Sequence, residues 1–436
     1  MAFTRTFQYT AQIATSLGEV NVIKMLVDKA NGVAYAAVSG GTLAGQADVS
    51  KLIKIRLSDF TRIATLTLSA NRLADAAIDL ELQEIYTYHR TLSLPTTPKV
   101  LKVNLSTFTV TGTISLPANV DFGFAGDVPV ENTRGVLAAV KVGTYHYLTG
   151  HYSNATNGAG GQGAVVPQKT LFKIVTEDPV TPANNFTIST YGNYGGTAIS
   201  GVLIGGPGTA AGFSSNCFST GIDYENGHAY YMAVGSPDGG VTNVTAVMLK
   251  INVSDMSLID HVFLSAAADL TPNSVAYDSV RDLAFAGTST SLLFKIDAST
   301  MTILESFNVA TLTGQTVNGV ISVSVDTLNG YVYMGGGTGV DLIFQQNISS
   351  DAFAFDDISA SGGNSNSTIN KGNQLDLSVG FGYFSSNKNG TGADARDYIT
   401  KFELEGTFGS TPVSGGPNVK RRPYPYNAGQ ISPSGW

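Results

Sequence analysis

Lys51-Leu-Ile-Lys-Ile-Arg-Leu-Ser-Asp-Phe-Thr-Arg-Ile-Ala-Thr-Leu-Thr-Leu68 is a phrase the chain uses again, as Val100-Leu-Lys-Val-Asn-Leu-Ser-Thr-Phe-Thr-Val-Thr-Gly-Thr-Ile-Ser-Leu116. Each copy alternates apolar and polar residues on both sides of a short polar turn, the pattern of two paired strands. Degraded copies stand at Leu171-Phe-Lys-Ile-Val175, Met248-Leu-Lys-Ile-Asn-Val253, Leu293-Phe-Lys-Ile-Asp297, Leu342-Ile-Phe-Gln345 and Ile399-Thr-Lys-Phe-Glu403. With Lys54, Lys102, Lys173, Lys250, Lys295, Phe344 and Lys401 as markers, the copies number seven, at spacings of 48, 71, 77, 45, 49 and 57 residues. Repetition on that scale governs the whole architecture.

A second phrase precedes the markers: Asp28-Lys-Ala-Asn31-Gly32-Val-Ala-Tyr35, Asp223-Tyr-Glu-Asn226-Gly227-His-Ala-Tyr230 and Asp326-Thr-Leu-Asn329-Gly330-Tyr-Val-Tyr333, with weaker copies at Asp278 and Asp376. Asn-Gly between two apolar runs is a hairpin turn, because Asn and Gly tolerate the left-handed backbone it needs. Each unit therefore reads as four antiparallel strands, in the first unit 20–27, 33–38, 51–57 and 62–68. The fold class expected is all-β: a seven-bladed β-propeller whose blades bury both faces against their neighbours. The seventh unit ends after its third strand. Phe3-Thr-Arg-Thr-Phe-Gln-Tyr-Thr-Ala11 resembles the fourth strand Phe60-Thr-Arg-Ile-Ala-Thr-Leu-Thr-Leu68 and is expected to complete that blade.

On Val33-Ala-Tyr35, Tyr331-Val-Tyr333 and Lys295-Ile-Asp297, the chain resembles the YVTN-type seven-bladed propellers over about residues 1–405. That resemblance implies a fold and no single chemistry. The domain expected is 1–408, with inserts near 151–169, 191–216 and 358–373, followed by a Pro-rich extended C-terminal arm, 409–436.

The 436 residues carry 25 basic and 33 acidic side chains, for a net charge of −8, which does not suit a phosphate backbone or an anionic membrane. Charged residues make up only 13%, while 43% are hydrophobic, so there is ample apolar surface for a core. No signal-peptide pattern or membrane-length apolar run is apparent. Cys217 alone builds no disulfide framework. The sequons at Asn104, Asn154, Asn185, Asn243, Asn252, Asn347, Asn366 and Asn389 are expected by chance in so Asn- and Ser-rich a chain.

Little in the sequence resembles a catalytic site. The repeated Asp28, Asp223, Asp278, Asp326 and Asp376 are read as turn-capping residues, and the marker lysines as a solvated strand face. His146 and His151, five apart, point to opposite faces and have no nearby carboxylate in sequence to complete a zinc site. Gly205-Gly-Pro-Gly-Thr-Ala-Ala-Gly212 lacks the helix and acidic residue of a dinucleotide loop. Cys217 reads as a core thiol. No cofactor is expected. Asp121, Asp223, Asn273 and Asn318 are the inner-strand residues available to the alternative of a lactonase-like or hydrolase-like enzyme with a channel metal, and they form no recognisable set.

The expected function is a non-enzymatic structural and interaction protein, made in the cytosol and displayed on a virus or phage particle as a decoration, tail or spike component. Its partners would be other subunits of the assembly, with a host glycan or receptor as a further partner, and without nucleic acid or membrane insertion. Lys420, Arg421, Arg422, Pro423, Tyr424, Tyr426 and Trp436 are the expected partner-binding residues of the arm. Tyr145, Tyr147, Tyr152, Tyr191 and Tyr194 are candidate ligand-loop aromatics for a carbohydrate-binding adhesin, the remaining alternative.

Overall fold

The computed structural model describes residues 9–403 apart from 17–18, 20–21, 40–48, 70–71, 91–98, 117–126, 159–167, 194–197, 200–201, 205–219, 237–244, 266–269, 271, 318, 337–341, 358–366, 370–373, 377–380 and 389–396. It is an all-β propeller of antiparallel blades, four-stranded in their plain form. After β1 (Tyr9–Ala14), sheet I is β2 (Val22–Asp28), β3 (Val33–Val38), β4 (Ser50–Arg56) and β5 (Thr61–Ser69). Sheet II is β6 (Arg72–Asp79), β7 (Glu84–Arg90), β8 (Lys99–Asn104) and β9 (Thr109–Ser115). Sheet III is β10 (Asp127–Val142), β11 (Tyr145–Gly158), β12 (Gln168–Glu177) and β13 (Thr187–Asn193). Sheet IV gathers β14 (Ala198–Ile199), β15 (Val202–Ile204), β16 (Gly221–Asp223), β17 (His228–Ser236), β18 (Thr245–Asn252) and β19 (Leu258–Phe263). Sheet V is β20 (Pro272–Asp278), β21 (Leu283–Thr288), β22 (Leu292–Asp297) and β23 (Thr302–Asn308), followed by the one-turn helix α1 (Val309–Thr313). Sheet VI is β24 (Val320–Asp326), β25 (Tyr331–Gly336), β26 (Leu342–Asn347) and β27 (Phe353–Asp357). Sheet VII combines β28 (Ser367–Ile369), β29 (Gln374–Asp376), β30 (Phe381–Lys388) and β31 (Asp397–Glu403) with β1.

Six blades are built from consecutive strands among the described residues, and not the seven expected; a further sheet joins the two ends of the described chain, β1 lying antiparallel on β31. The register differs from the sequence resemblance. Ala11 stands opposite Lys401 as Ala64 stands opposite Lys54, which equates Phe7, and not Phe3, with Phe60. A shift of four leaves every side chain on the same face, so alternation alone does not detect it.

A repeated joint connects the sheets. Opposite each marker, the second strand presents Tyr35, Tyr86, Thr149, Tyr230, Phe285, Tyr333 or Tyr383, all buried. The same pairing puts Gln345, and not Phe344, in the marker position of sheet VI. Phe344 faces the other way, into the core between sheets V and VI. Nor are the lysines a solvated face. Lys250 Nζ donates to Ala298 O of the next sheet at 2.8 Å, Lys295 Nζ to Ile348 O at 3.0 Å, and Lys401 Nζ to Leu57 O at 3.5 Å. Lys173 reaches Ser254 O, while Lys54 and Lys102 lie 5.7 Å and 5.5 Å from the rings of Phe108 and Phe186. An ammonium withdrawn from water needs such partners, and its alkyl stem covers the ring below it.

The next sheet plugs the joint with a residue of the turn before its outer strand: Phe60, Phe108, Phe186, Met256 and Met301, all at φ between 50° and 62°. A left-handed backbone costs such residues about 1–2 kcal/mol, and burying the side chain offsets it. Phe108 packs 5.9 Å from Tyr35, Phe186 6.1 Å from Tyr86, and Phe60 5.8 Å from Tyr383. In sheet VI the plug is Asp351, whose carboxylate pairs with Lys295 at 2.9 Å.

Candidate functional site

Strand order gives the ring two unlike rims. First and third strands end on one rim, and there the turns are short and capped by side chains. The first-to-second turns are capped by aspartates: Asp28 accepts from Asn31 N and Nδ2, Asp79 from Glu81 N and Leu82 N, Asp223 from Glu225 N and Asn226 N, Asp278 from Val280 N, and Asp326 from Asn329 N. The side chain of Asp376 is not described. A second tier, unnoticed in the sequence, caps the third-to-fourth turns with Asn104, Asp178, Asn252, Asp297 and Asn347. Three of these are sequon asparagines, so Asn-x-Ser is here a turn motif: Asn252 Oδ1 takes Ser254 N at 2.9 Å and its hydroxyl at 2.7 Å.

The two tiers bond to one another. Leu57, Leu105, Val253, Ala298 and Ile348 donate their N–H to the carbonyls of Gly32, Gln83, Gly227, Asp282 and Gly330, each a residue of positive φ. Gly330 shows why glycine suits this place: a Cβ would meet Arg281 Nη2 at 2.7 Å, in a backbone (φ +73°) that side chains disfavour.

One cleft opens on this rim, between sheets II and III, lined by Ile78, Asp79, Leu80, Glu81, Ala139, Val140, Lys141 and His146. His146 Nδ1 lies 2.6 Å from Asp79 Oδ2, and its Nε2 3.6 Å from Glu81 Oε2 and 4.0 Å from Glu177 Oε2. Lys141 pairs with Glu81. The carboxylates that sequence proximity did not supply thus arrive from another blade and from the end of β12. Burial pulls the His146 pKa down, but the hydrogen bond and charge of Asp79, with the charge of Glu81, outweigh it and leave the pKa raised. The arrangement holds two sheets together as an ion-paired latch. Among the described residues, no group of three His, Cys, Asp or Glu is placed to hold a metal.

The innermost strands carry a second polar chain. Lys24 Nζ lies 3.3 Å from Asp75 Oδ1, and the same carboxylate accepts Ala76 N and, across the next gap, Leu137 N at 2.8 Å. Burial raises the Asp75 pKa against the opposing charge of Lys24. Asn273 Nδ2 similarly donates to Val320 O at 3.1 Å. Of the four residues considered for a channel metal, Asn273 is therefore used between sheets V and VI and Asp223 in a turn on the rim. Asp121 and Asn318 lie outside the described residues.

The opposite rim receives the second-to-third connections and those between sheets, including all three expected inserts. They are not simply loops. Residues 151–158 prolong β11, which pairs with β10 from Val142–Tyr145 out to Asp127–Gly158, beyond the reach of β12 at Asn154. From 191–216, 191–193 end β13, while β15 pairs with the inner edge of β17 and β14 lies beyond β15, on its axial side. From 358–373, 367–369 form β28 on β30. Unpaired edge groups of the neighbouring strands recruited these segments, which sequence alternation was too short to reveal.

Tyr145 and Tyr147 stack at 6.1 Å on the capped rim, with Lys173 Nζ 5.0 Å from the Tyr147 ring, so Tyr147 belongs to the joint between sheets III and IV. Tyr152 and Tyr191 lie further along β11 and β13, opposite Gly135 and Phe172. Tyr194, Cys217, the segment 205–212 and the arm residues Lys420, Arg421, Arg422, Pro423, Tyr424, Tyr426 and Trp436 lie outside the described residues. No described helix is long and apolar enough to cross a membrane.

No protein-family model matches the chain, and no curated protein matches it in sequence. The fold is nonetheless found among solved structures. It is similar to the β-propeller domain of Cps50 (Swd1) from Myceliophteria thermophila, with a TM-score of 0.52 at 8% identity over 89% of this chain and 99% of that one. It is also similar to Raptor from Chaetomium thermophilum, with a TM-score of 0.53 at 8% identity over 91% of this chain and 29% of that one. Identity so low establishes a shared β-propeller fold and leaves YVTN-type membership as a resemblance in pattern.

Proposed function

We propose that this chain is a non-enzymatic interaction scaffold, a ring built into a larger protein assembly through its insert-bearing rim. The observation that carries the reading is the contrast between rims: one is closed by two bonded tiers of capped turns, while the other bears the projecting ends of the β10–β11 pair and three added strands, β14, β15 and β28. Recognition concentrates in such connections on a rigid frame. We count the sheet shared by the two chain ends as a blade, giving a ring of seven; its antiparallel register with β1 and its stacking on sheet I through Tyr383 and Phe60 support that count.

The finer form of the proposal is display on a virus or phage particle, supported by composition: with 13% charged residues, a surface loses little to desolvation when packed against neighbours. Native mass and cross-linking of the full chain from its source test both levels. Cross-links confined to the insert-bearing rim within a large regular particle are expected. A free species of 45.5 kDa without intermolecular cross-links overturns the scaffold reading, and a small cellular complex overturns only the particle.

A further inference from the structure

Asn followed by Gly suits a tight turn and is also a chemically fragile pair. The Gly backbone nitrogen can attack Asn Cγ: the N–Cγ bond forms, the Cγ–Nδ2 bond breaks, and the side-chain amide leaves as ammonia with the proton of the Gly N–H. Water then opens the resulting succinimide to Asp or to isoaspartate, which carries an extra methylene in the backbone. Gly favours the attack because it has no Cβ to crowd it. Three such pairs stand in the first-to-second turns of the capped rim: Asn31-Gly32, Asn226-Gly227 and Asn329-Gly330.

In these three turns the capping aspartate divides its oxygens in the same way. Oδ1 of Asp28, Asp223 and Asp326 accepts the Asn backbone N–H at 3.2, 3.2 and 3.0 Å, and Oδ2 accepts the Asn side-chain Nδ2 at 2.7, 2.7 and 2.8 Å. The two described caps of turns without Asn-Gly use Oδ2 elsewhere: that of Asp79 lies against His146 Nδ1, and that of Asp278 accepts from Arg281 Nη1. The glycines are tied as well. Gly32 N donates to Lys29 O and Gly330 N to Asp326 O, and the carbonyls of Gly32, Gly227 and Gly330 accept from Leu57 N, Val253 N and Ile348 N, each bond 2.9 Å long.

We propose that Asn31, Asn226 and Asn329 are latent modification sites, held closed against succinimide formation by Asp28, Asp223 and Asp326. Cyclisation requires the Asn side chain to swing off the aspartate and the Asn-Gly peptide to turn off its partners in the second tier. The cap's second oxygen holds the first of these and the third-to-fourth turn the second. Opening at one turn would convert Asn into Asp or isoaspartate and strip the carboxylate of its Nδ2 donor.

Ageing of the full-length protein at mildly alkaline pH, with peptide mass mapping of each Asn, tests the proposal. The same chain unfolded in denaturant is the reference and needs no variant. Loss of amide at Asn31, Asn226 and Asn329 is expected to be at least about tenfold slower in the folded chain. Asp28→Ser and Asp326→Ser each keep one oxygen for the backbone N–H and remove the one that holds Nδ2. Asp326→Ser is expected to speed the loss at Asn329 about tenfold while Asn31 and Asn226 stay slow, and Asp28→Ser to do so at Asn31 alone. Equal rates in folded and unfolded chains overturn the proposal, as does an unchanged rate at the Asn beside an altered cap. A rise at all three asparagines from one substitution also overturns it, because general loosening and not the cap would then set the rate. None of these outcomes depends on whether the ring serves as a scaffold.

Discussion

The two rims are built from the same strands and differ in what closes them. On the capped rim, an aspartate or asparagine caps most of the described turns, and the third-to-fourth turns bond to the first-to-second turns and send one side chain into the adjoining sheet. On the other rim, the connections range from the Thr288–Leu292 turn to the β11–β12 connection beside the far end of the extended β10–β11 pair, and several lie outside the described residues. The difference separates two kinds of constraint. Joints between blades must repeat because each blade sees the same neighbour, whereas nothing in the ring's packing specifies a connection that faces away from it.

The contrast predicts a graded set of responses. The largest is at a joint: Tyr230→Ala removes a fully buried ring stacked 5.0 Å from Tyr277 and lying under Lys250, and should cost about 3–5 kcal/mol in denaturant unfolding. A loss below about 1 kcal/mol there would mean that the joints do not hold the ring. Next is a capped turn: Asp326→Ala leaves Asn329 N and Nδ2 without their acceptor and should cost about 1–3 kcal/mol. Lys250→Met keeps the stem over Tyr230 but deprives Ala298 O of its donor, for about 1–2 kcal/mol, with a smaller loss for Lys250→Gln, the residue type sheet VI uses.

The latch gives a pH-dependent term. Because the His146 pKa is raised in the folded state, its contribution is fully present below the unfolded value of 6.5 and is lost as pH rises through the raised folded value. Stability measured across that window should therefore fall with rising pH more steeply in the native chain than in His146→Gln, and parallel curves would refute the latch. The smallest effect on folding belongs to the other rim: replacing 159–167 by a short Gly-Ser link should change stability by less than about 0.5 kcal/mol. The same replacement should reduce cross-linking to partners, and a loss of stability comparable to Tyr230→Ala would erase the distinction between the rims.

The repeat itself was legible. The first-unit strands agree with β2–β5 to within two residues, and the Asp-x-x-Asn-Gly turns lie where the Asn-Gly signal placed them. Such features arise from short-range chemistry: alternation places side chains on faces, and Asp, Asn and Gly suit particular turns. What misled the reading was long-range in origin. A lysine amid Leu and Ile looks solvated until the next sheet brings a carbonyl over it. His146 looks alone until β6 and β12 deliver Asp79 and Glu177.

The sequence by itself thus determined the strands, their turns and the four-stranded repeat, because each is decided within about ten residues of chain. Only the tertiary structure decided the register of β1 on β31, the place of Gln345 as the sixth marker and the contacts of the marker lysines with the next sheet. Those depend on which sheet lies alongside, and an even shift in pairing leaves the local pattern of faces unchanged.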